Sequence, residues 1–367
     1  MRISRTKLTA VTTLVLSALA VFVVAGPLSP PGGPVASTYK TLAEVEPRIA
    51  INSVNTPGDA AVMYRITKAG SYYLTGDVTA AALKHGIEVT ANNVSIDLRG
   101  FSVIGTGSGI YNGINVGAQT NVTVTNGTLR TWGGAGVNAQ LSAGGHLKDL
   151  QLLSDGDGIR AGKGALIEHC AAAHSNNIGI AAENGSLVVE CVAYGCDTGI
   201  YLSSGSIARN CHASSNDYRG YGTEDGAAFE SCSATENTGD GFHVSRNISM
   251  DNCISSDNGG VGFSFGSNCR LTNNHAESNA GTAGFYGGTS SSRNVLKGNT
   301  AVSNAGSGFK LAANANLIIA NQATLNGSNY DIVAGNRIGP VVVFTTSSAS
   351  GNLGGAGTSD PSANLAF

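Results

Sequence analysis

The amino-acid sequence predicts an all-β solenoid, a coil of short parallel strands with about eleven rungs of roughly 21 residues each. Three observations predict it: a recurring glycine followed by an apolar residue, a column of small residues with the same period, and a column of amides. The abundance of Gly, Asn, Ser and Thr opposes helical repeats. The glycine pairs are Gly86-Ile87, Gly113-Ile114, Gly136-Val137, Gly158-Ile159, Gly179-Ile180, Gly199-Ile200, Gly220-Tyr221, Gly241-Phe242, Gly262-Phe263, Gly284-Phe285 and Gly308-Phe309.

The small-residue column contains only thiols and amides. Three residues before each member stands an apolar residue, as in Ile167 before Cys170, and the position between them is often charged, as in Glu168. This alternation predicts a strand with one face inward and one outward. The column consists of Cys170, Cys191, Cys211, Cys232, Cys253, Asn274, Asn299 and Asn321.

The amide column predicts a stacked turn. Asparagine tolerates left-handed backbone angles, and its side chain can bond to its copy one rung away. The column follows the thiols by five residues and consists of Ser175, Cys196, Asn216, Asn237, Asn258, Asn279, Asn304 and Asn326.

Two further patterns predict core packing. Phenylalanines occupy the later glycine pairs, as in Phe242 and Phe263, and are predicted to stack inside the coil. Five of the seven cysteines share one column, where stacked side chains point the same way. We therefore expect small buried hydrophobic residues there and no disulfide framework.

These columns resemble the right-handed parallel β-helix superfamily, which includes pectate lyases, polygalacturonases, alginate epimerases and NosD-like repeat proteins. The resemblance covers roughly residues 60–340. The Gly-x-Tyr-x-Leu segment at residues 70–74 and the segment 121–129 resemble the first rungs of bacterial secreted members. The resemblance implies a single-stranded right-handed parallel β-helix with N- and C-terminal caps, acting on polysaccharide.

The chain divides into five predicted segments. Residues 1–25 have the layout of a secretory signal peptide, with Arg2, Arg5 and Lys7 before an uncharged run. Residues 26–40 form a Pro/Gly-rich linker, 41–85 an N-terminal cap with its first strand, 86–339 the β-helix, and 340–367 a C-terminal cap and tail. An uncleaved membrane anchor is the competing interpretation of the leader. The predicted location is secreted, outside the cell or at its surface, with the periplasm as an alternative.

The residue after each glycine pair is predicted to point outward on one sheet, which places a row of polar groups one or two rungs apart. Rung spacing is close to the length of a sugar unit, so this row is the predicted polysaccharide contact. If the protein is an enzyme, we expect His243 or Tyr201 as base, Lys310 or Arg160 as neutraliser of a uronate carboxylate, and Tyr286 as a substrate contact. The alternative is an ordinary exposed sheet face.

Two other groups are candidate substrate contacts. Arg209, Glu230 and Asp251 are each one rung apart; they suit a pair of hydrolytic carboxylates or, as the favoured interpretation, a surface ion ladder. Tyr218 and Arg219 fall in the irregular, charged segment 216–225. That segment is interpreted either as a grafted functional segment or as a corner loop.

Metal and nucleic-acid binding are poorly supported. The acidic Gly-rich segments at Asp157 and Asp240 resemble calcium loops only weakly, because each occurs once; no metal ligands and no cofactor are predicted. A net charge of −3 and the lack of a basic run argue against nucleic acid. The chain is expected to be a monomer.

Catalytic signatures are missing. The acidic pair with Gly-His-Gly of polygalacturonases and the Asp-Pro-His of alginate epimerases do not occur in the sequence. The sequence therefore predicts a polysaccharide-binding protein, with lyase-type chemistry if it is enzymatic. The alternative is a non-catalytic structural or adhesion protein of the cell surface or matrix.

Overall fold

The computed structural model describes residues 47–343 and 360–367, and the predicted signal peptide and linker lie outside them. The described residues form strands and turns without a helix, and neighbouring rungs pair in parallel. A thirteen-stranded sheet, here called the front sheet, receives one strand from each rung in this part of the chain. Its strands are Val62–Ile66, His85–Val89, Ile114–Val116, Ala135–Ala143, Asp157–Lys163, Ile178–Ala182, Thr198–Leu202, Arg219–Thr223, Phe242–Val244, Phe263–Phe265, Ala283–Gly287, Ser307–Leu311 and Ser328–Ile332.

The rest of each rung belongs to a second sheet of 26 strands in the described residues, here called the back sheet. From residue 166 onward most rungs contribute two short strands to it, separated by a two-residue corner such as His169 and Cys170. Its strands are Ile49–Ala50, Gly70–Tyr73, Val78–Thr79, Val94–Asp97, Ser102–Ile104, Val122–Arg130, His146–Leu153, Leu166–Glu168, Ala171–Ala173, Leu187–Val189, Val192–Tyr194, Ile207–Arg209, His212–Ser214, Ala228–Glu230, Ser233–Thr235, Ser249–Asp251, Ile254–Ser256, Arg270–Thr272, His275–Glu277, Val295–Lys297, Thr300–Val302, Leu317–Ile319, Gln322–Thr324, Arg337–Ile338, Val341–Val343 and Asn364–Ala366.

The predicted parallel solenoid is confirmed, and the register explains why its period is visible in the sequence. Ile159 pairs with Ile180 and Ile180 with Ile200, so the glycine pairs stack directly. A Cβ built on Gly158 would lie 2.3 Å from the carbonyl oxygen of Gly179. Close approach of the next rung therefore excludes any side chain at this position, whereas the φ angle does not require glycine there.

The core contains a continuous aromatic stack. The rings of Phe242 and Phe263 lie 4.9 Å apart and nearly parallel, and those of Phe263 and Phe285 lie 4.8 Å apart. Tyr221 and Tyr330 extend the stack at its two ends. The predicted phenylalanine packing is confirmed, and the centroid spacing measures the rise per rung.

The cysteine and asparagine columns stack as predicted. All seven cysteines lie among the described residues; they are buried and unbridged. The backbone amide of Cys253 donates to Oδ1 of Asn274 at 2.9 Å, and the amide of Asn274 donates to Oδ1 of Asn299 at 2.9 Å. Thiols and amides thus fill the same corner of successive rungs.

One detail of the turn prediction is wrong. The asparagines of the amide column do not adopt the left-handed backbone; the preceding residue does, as at Ser215 with φ 52° and Glu236 with φ 56°. Asn216 and Asn237 are instead buried, and their side chains bond rung to rung. The side-chain amide of each asparagine must point inward to form these hydrogen bonds. The left-handed φ therefore occurs at the preceding residue, which is exposed or half-buried.

The repeat extends beyond the eleven glycine pairs. The front sheet has two more strands in the described region, Val62–Ile66 before the first pair and Ser328–Ile332 after the last. At the far end Asn321 donates to Oδ1 of Asn364, 43 residues away, which adds Asn364–Ala366 to the back sheet. The C-terminal strand therefore continues a column of the coil.

In the part of the chain that the structure describes, no helix has the length and apolar character needed to cross a membrane.

Candidate functional site

The outward row of the front sheet is continuous in the structure. Arg160 pairs with Ala181, Ala181 with Tyr201, and Tyr201 with Gly222. Because these partners are hydrogen-bonded neighbours, their side chains lie side by side on one face. The complete row is Arg65, Glu88, Asn115, Asn138, Arg160, Ala181, Tyr201, Gly222, His243, Ser264, Tyr286, Lys310 and Asp331.

A cleft of about 240 Å³ interrupts this row between Arg160 and Tyr201. Its floor is Ala181, which is too small to fill the space between its two large neighbours. A second depression of about 280 Å³ shares Arg160 and Gln140 with the cleft and reaches Asn138 and Asn112. Together they form a groove along several rungs of the front sheet, here called the front groove.

The position of Tyr201 depends on a glycine. A Cβ built on Gly222 would lie 3.0 Å from Cδ2 of Tyr201 and 3.4 Å from Nε of Arg219. The tyrosine therefore packs against the bare backbone of the next rung while also lining the cleft. A larger residue at 222 would displace the ring.

The sequence analysis missed a second outward row in the cleft. Gln140, Glu183 and Glu224 line it with Ser203, and each stands two residues beyond the first row. Gln140 Nε2 donates to Glu183 Oε1 at 3.1 Å. The period-two rule that identified the first row also predicts this one, because the next outward position on a strand is two residues later.

Electrostatics keep Tyr201 protonated. Burial is the main cause that raises its pKa above the ordinary value of 10.0; the Glu224 carboxylate adds to it, Arg219 acts against it, and Glu183 adds a smaller effect. A phenol with a raised pKa stays protonated at neutral pH and therefore removes protons poorly. Tyr201 therefore suits sugar contact better than the role of base.

The basic side chains of the first row lie beside carboxylates of the same chain. Arg160 Nε lies 2.6 Å from Asp157 Oδ2, and His243 Nδ1 lies 2.9 Å from Asp240 Oδ2. Both pairs use the same geometry, with the carboxylate three residues before the cation.

Basic side chains near the two ends of the row are also paired with carboxylates. Arg65 Nε lies 2.6 Å from Glu88 Oε2, and Lys310 Nζ lies 2.9 Å from Asp331 Oδ2. The hydrogen bond to Asp331 raises the pKa of Lys310 above its ordinary value.

The four predicted catalytic residues do not form one centre. Arg160 and Tyr201 line the same cleft, two rungs apart. His243 lies two rungs beyond Tyr201, and Lys310 three rungs beyond His243. At 4.8 to 4.9 Å per rung, Lys310 is too far from Tyr201 to act on the same sugar unit. Tyr286 is the rung neighbour of Lys310 and shares its part of the row.

The structure brings Tyr218 and Arg219 to the edge of this site. The guanidinium carbon of Arg219 lies 4.5 Å from the centroid of the Tyr218 ring. The interpretation of this segment as a corner loop is wrong for its second half, because Arg219–Thr223 is a regular strand of the front sheet. The rung looked irregular because Arg219 stands where the preceding rung carries Thr198, and Gly222 stands where it carries Tyr201.

Arg209, Glu230 and Asp251 lie elsewhere, in register on the back sheet. Arg209 Nε lies 2.7 Å from Glu230 Oε2, and Thr272 Oγ1 donates to Asp251 Oδ1 at 2.7 Å. This is the geometry of the surface ladder that the sequence favoured.

The two weak calcium motifs have carboxylates with partners in the protein. Asp157 Oδ1 accepts from Asn177 Nδ2 and from the amide of Ile178, while Asp240 Oδ1 accepts from the amide of Val261. Within residues 47–343 and 360–367, no group of three or more His, Cys, Asp or Glu side chains is arranged to hold a metal ion.

Comparison with known proteins agrees with this architecture. A family model described as "Right handed beta helix region" matches residues 112–245 and 221–352, which together span more than half of the chain. No curated protein sequence matches the chain.

The chain is similar to three solved structures at low sequence identity, and one of them, with a TM-score above 0.5, shows the same fold. A point mutant of the periplasmic alginate epimerase AlgG is 12% identical, with 80% of each chain covered and a TM-score of 0.56. The A-module of mannuronan C-5 epimerase AlgE4 from Azotobacter vinelandii is 15% identical over 79% of this chain and 87% of that one, with a TM-score of 0.49. Pectate lyase Pel9A is 18% identical over 75% and 65%, with a TM-score of 0.32.

Proposed function

This chain belongs to the right-handed β-helix family, and from that premise we propose that it binds a linear polysaccharide lengthwise in the front groove. The observation that carries the proposal is the cleft between Arg160 and Tyr201, continued by Asn138 and Gln140 on the preceding rung. Sugar binding requires a flat ring to stack on and fixed polar groups beside it. Tyr201 provides the ring, and the amides of Asn138 and Gln140 provide donors and acceptors.

The spacing of the rungs supports a polymer as the ligand. Successive positions of the row recur at the 4.8 to 4.9 Å measured between the core rings, close to the length of one sugar residue. Each rung can therefore contact the next sugar with little change in geometry. The fold likeness to a protein named an alginate epimerase is consistent with this proposal. We also propose that the protein is located outside the cell or at its surface, with the periplasm as the alternative.

A catalytic role at His243 is a second candidate. Asp240 holds Nδ1 of the imidazole, which leaves Nε2 as the ring nitrogen for a substrate proton. A carboxylate that fixes the ring in this way is a common arrangement for a general base. Loss of a proton from a sugar carbon, with departure of the glycosidic oxygen from the neighbouring carbon, would be an elimination that leaves an unsaturated sugar and a cleaved chain.

Calorimetric titration with a panel of linear oligosaccharides tests the binding proposal. We expect Tyr201→Ala to weaken binding about 10-fold or more, because stacking on an aromatic ring contributes roughly 1 to 2 kcal/mol. Tyr194→Ala is the matched control, since Tyr194 is an exposed tyrosine of the back sheet. If both variants bind like the parent protein, the front groove is not the binding surface.

Product formation separates the two candidates. The parent protein and His243→Ala are incubated with the polymer that binds best, and unsaturated products and new reducing ends are followed. Turnover that disappears in His243→Ala supports catalysis. Binding without product formation supports a protein that binds the polymer and does not cleave it.

A further inference from the structure

We infer that the polymer held in the front groove carries amino groups rather than carboxylates. This inference deepens the proposed function and rests on it. It differs from the sequence-based expectation that Arg160 or Lys310 neutralises a uronate.

The basic side chains of the first row already have acidic partners in this chain. Arg65, Arg160, His243 and Lys310 each lie within 3.0 Å of an aspartate or glutamate oxygen of this chain. A uronate would have to displace these carboxylates or bind beside them, and like charges at such distances repel. Acidic polymers therefore gain little from these side chains.

Arg219 is the one cation of the cleft edge without a carboxylate partner in the described residues. Its guanidinium covers the Tyr218 ring, and its Nε is buried without a hydrogen-bond partner. Because the Arg219 guanidinium packs on an aromatic ring, this one cation is not enough to bind an acidic polymer along the groove. It instead leaves Tyr218 and Tyr201 as adjacent aromatic surfaces.

The cleft contains two carboxylates without a cationic partner in the described residues. In the described residues the Glu183 carboxylate accepts only from Gln140, at 3.1 Å, and the Glu224 carboxylate only from Ser204, at 3.4 Å. Both line the cleft beside Tyr201, and both raise the pKa of that tyrosine. Their negative charge therefore acts on groups inside the cleft and would attract a cationic ligand.

The distance between these two carboxylates also fits a polymer with amino groups. Glu183 and Glu224 are two rungs apart, with Ser203 between them, which is about 10 Å. In a chain of β-1,4-linked sugars each unit is turned over relative to the last, so equivalent groups on one side recur every second unit. Amino groups of such a polymer match this spacing.

The test compares three hexamers of similar length: glucosamine, N-acetylglucosamine and galacturonate. Titrations are made at mildly acidic pH, where amines and carboxylates are both charged. We expect the glucosamine hexamer to bind about 10-fold more tightly than its acetylated form, with an affinity that falls as salt rises. The double variant Glu183→Gln/Glu224→Gln is expected to lose that advantage.

The matched control is Glu236→Gln/Glu277→Gln, which removes the same charge from the exposed back side of the coil. It is expected to bind the glucosamine hexamer like the parent protein. Preferred binding of galacturonate, or equal binding of the amine and acetylated hexamers, overturns the inference and leaves the proposed function intact. If the protein binds none of the three hexamers and none of the long polymers of the same sugars, the proposed function itself is contradicted.

Discussion

At the scale of single residues, a buried carboxyl group stands one rung before the first member of the amide column. Asp155 occupies the column position one rung before Ser175, where later rungs carry Asn. The amide of Trp132 donates to its Oδ1 at 2.8 Å, but its Oδ2 is buried without a partner. Burial raises the pKa of Asp155 from 3.8 to about 8. The folded protein therefore keeps this carboxyl protonated at neutral pH.

Asp155 makes the stability of the fold depend on pH. The group has a higher pKa in the folded chain than in the unfolded chain, so its favourable contribution is complete below about pH 3.8. The contribution falls as pH rises and is fully lost above about pH 8. Asparagine at this position supplies a neutral amide at every pH.

We predict that Asp155→Asn stabilises the protein at pH 8 by about 2 to 4 kcal/mol, since each pKa unit corresponds to about 1.4 kcal/mol. Near pH 4 the variant and the parent should melt at similar temperatures. Thermal melts at both pH values measure the difference. Asp217→Asn, at an exposed carboxylate, is the control and should show no such dependence. An equal gain at both pH values would mean that the buried carboxyl does not titrate.

At the scale of the element, the rungs are held together by ladders of buried amides. Asn258 accepts from the amide and the Nδ2 of Asn237, at 3.0 and 2.8 Å. It donates to Asn279 Oδ1 at 2.9 Å and to the carbonyl of Ala234 at 3.1 Å. A third ladder, which the sequence analysis did not identify, connects Cys269, Asn294, Asn316 and Asn336. These ladders satisfy polar groups at corners where the strand pairing stops.

We predict that Asn258→Ala destabilises the fold by about 3 to 5 kcal/mol, because it leaves two donors of Asn237 buried without an acceptor. Urea denaturation measures the change. Asn184→Ala, in an exposed turn, is the matched control and should cost less than about 0.5 kcal/mol. A loss below about 1 kcal/mol for Asn258→Ala would show that water or local repacking replaces the ladder.

At the scale of the whole coil, the C-terminal strand covers an open end. Asn364 accepts from the amide and the Nδ2 of Asn321, at 3.0 and 3.1 Å, and donates to the carbonyl groups of Ile318 and Gly339. It thereby fixes Asn364–Ala366 against Gln322–Thr324. Without this strand the last rung would present unpaired backbone groups to other chains.

We predict that Asn364→Ala releases this strand. The amides of Leu365 and Phe367, which donate to Asn321 and Ala323, should lose protection from hydrogen exchange. Light scattering should show association that increases with protein concentration. Val343→Ala, at an exposed position of a neighbouring strand, is the control. Unchanged protection of both amides would show that backbone pairing alone holds the strand.

The sequence by itself determined the coil, its columns and its outward row. In a parallel stack each residue contacts its own copies one period away, so a packing demand such as the bare glycine at Gly158 repeats visibly along the chain. The same logic placed Arg160, Tyr201 and His243 on one face. It also predicted the stacked thiols and phenylalanines.

Only the tertiary structure decided where the groove lies and what charge it carries. The cleft exists because Ala181 leaves space between two large side chains and because Tyr201 packs on Gly222. The pairing of Arg160 with Asp157 and the return of Asn364 to the end of the coil depend on side-chain conformations and on contacts outside the repeat. A period in the sequence fixes which residues are neighbours, whereas the depth and charge of a surface depend on how individual side chains fill the space between them.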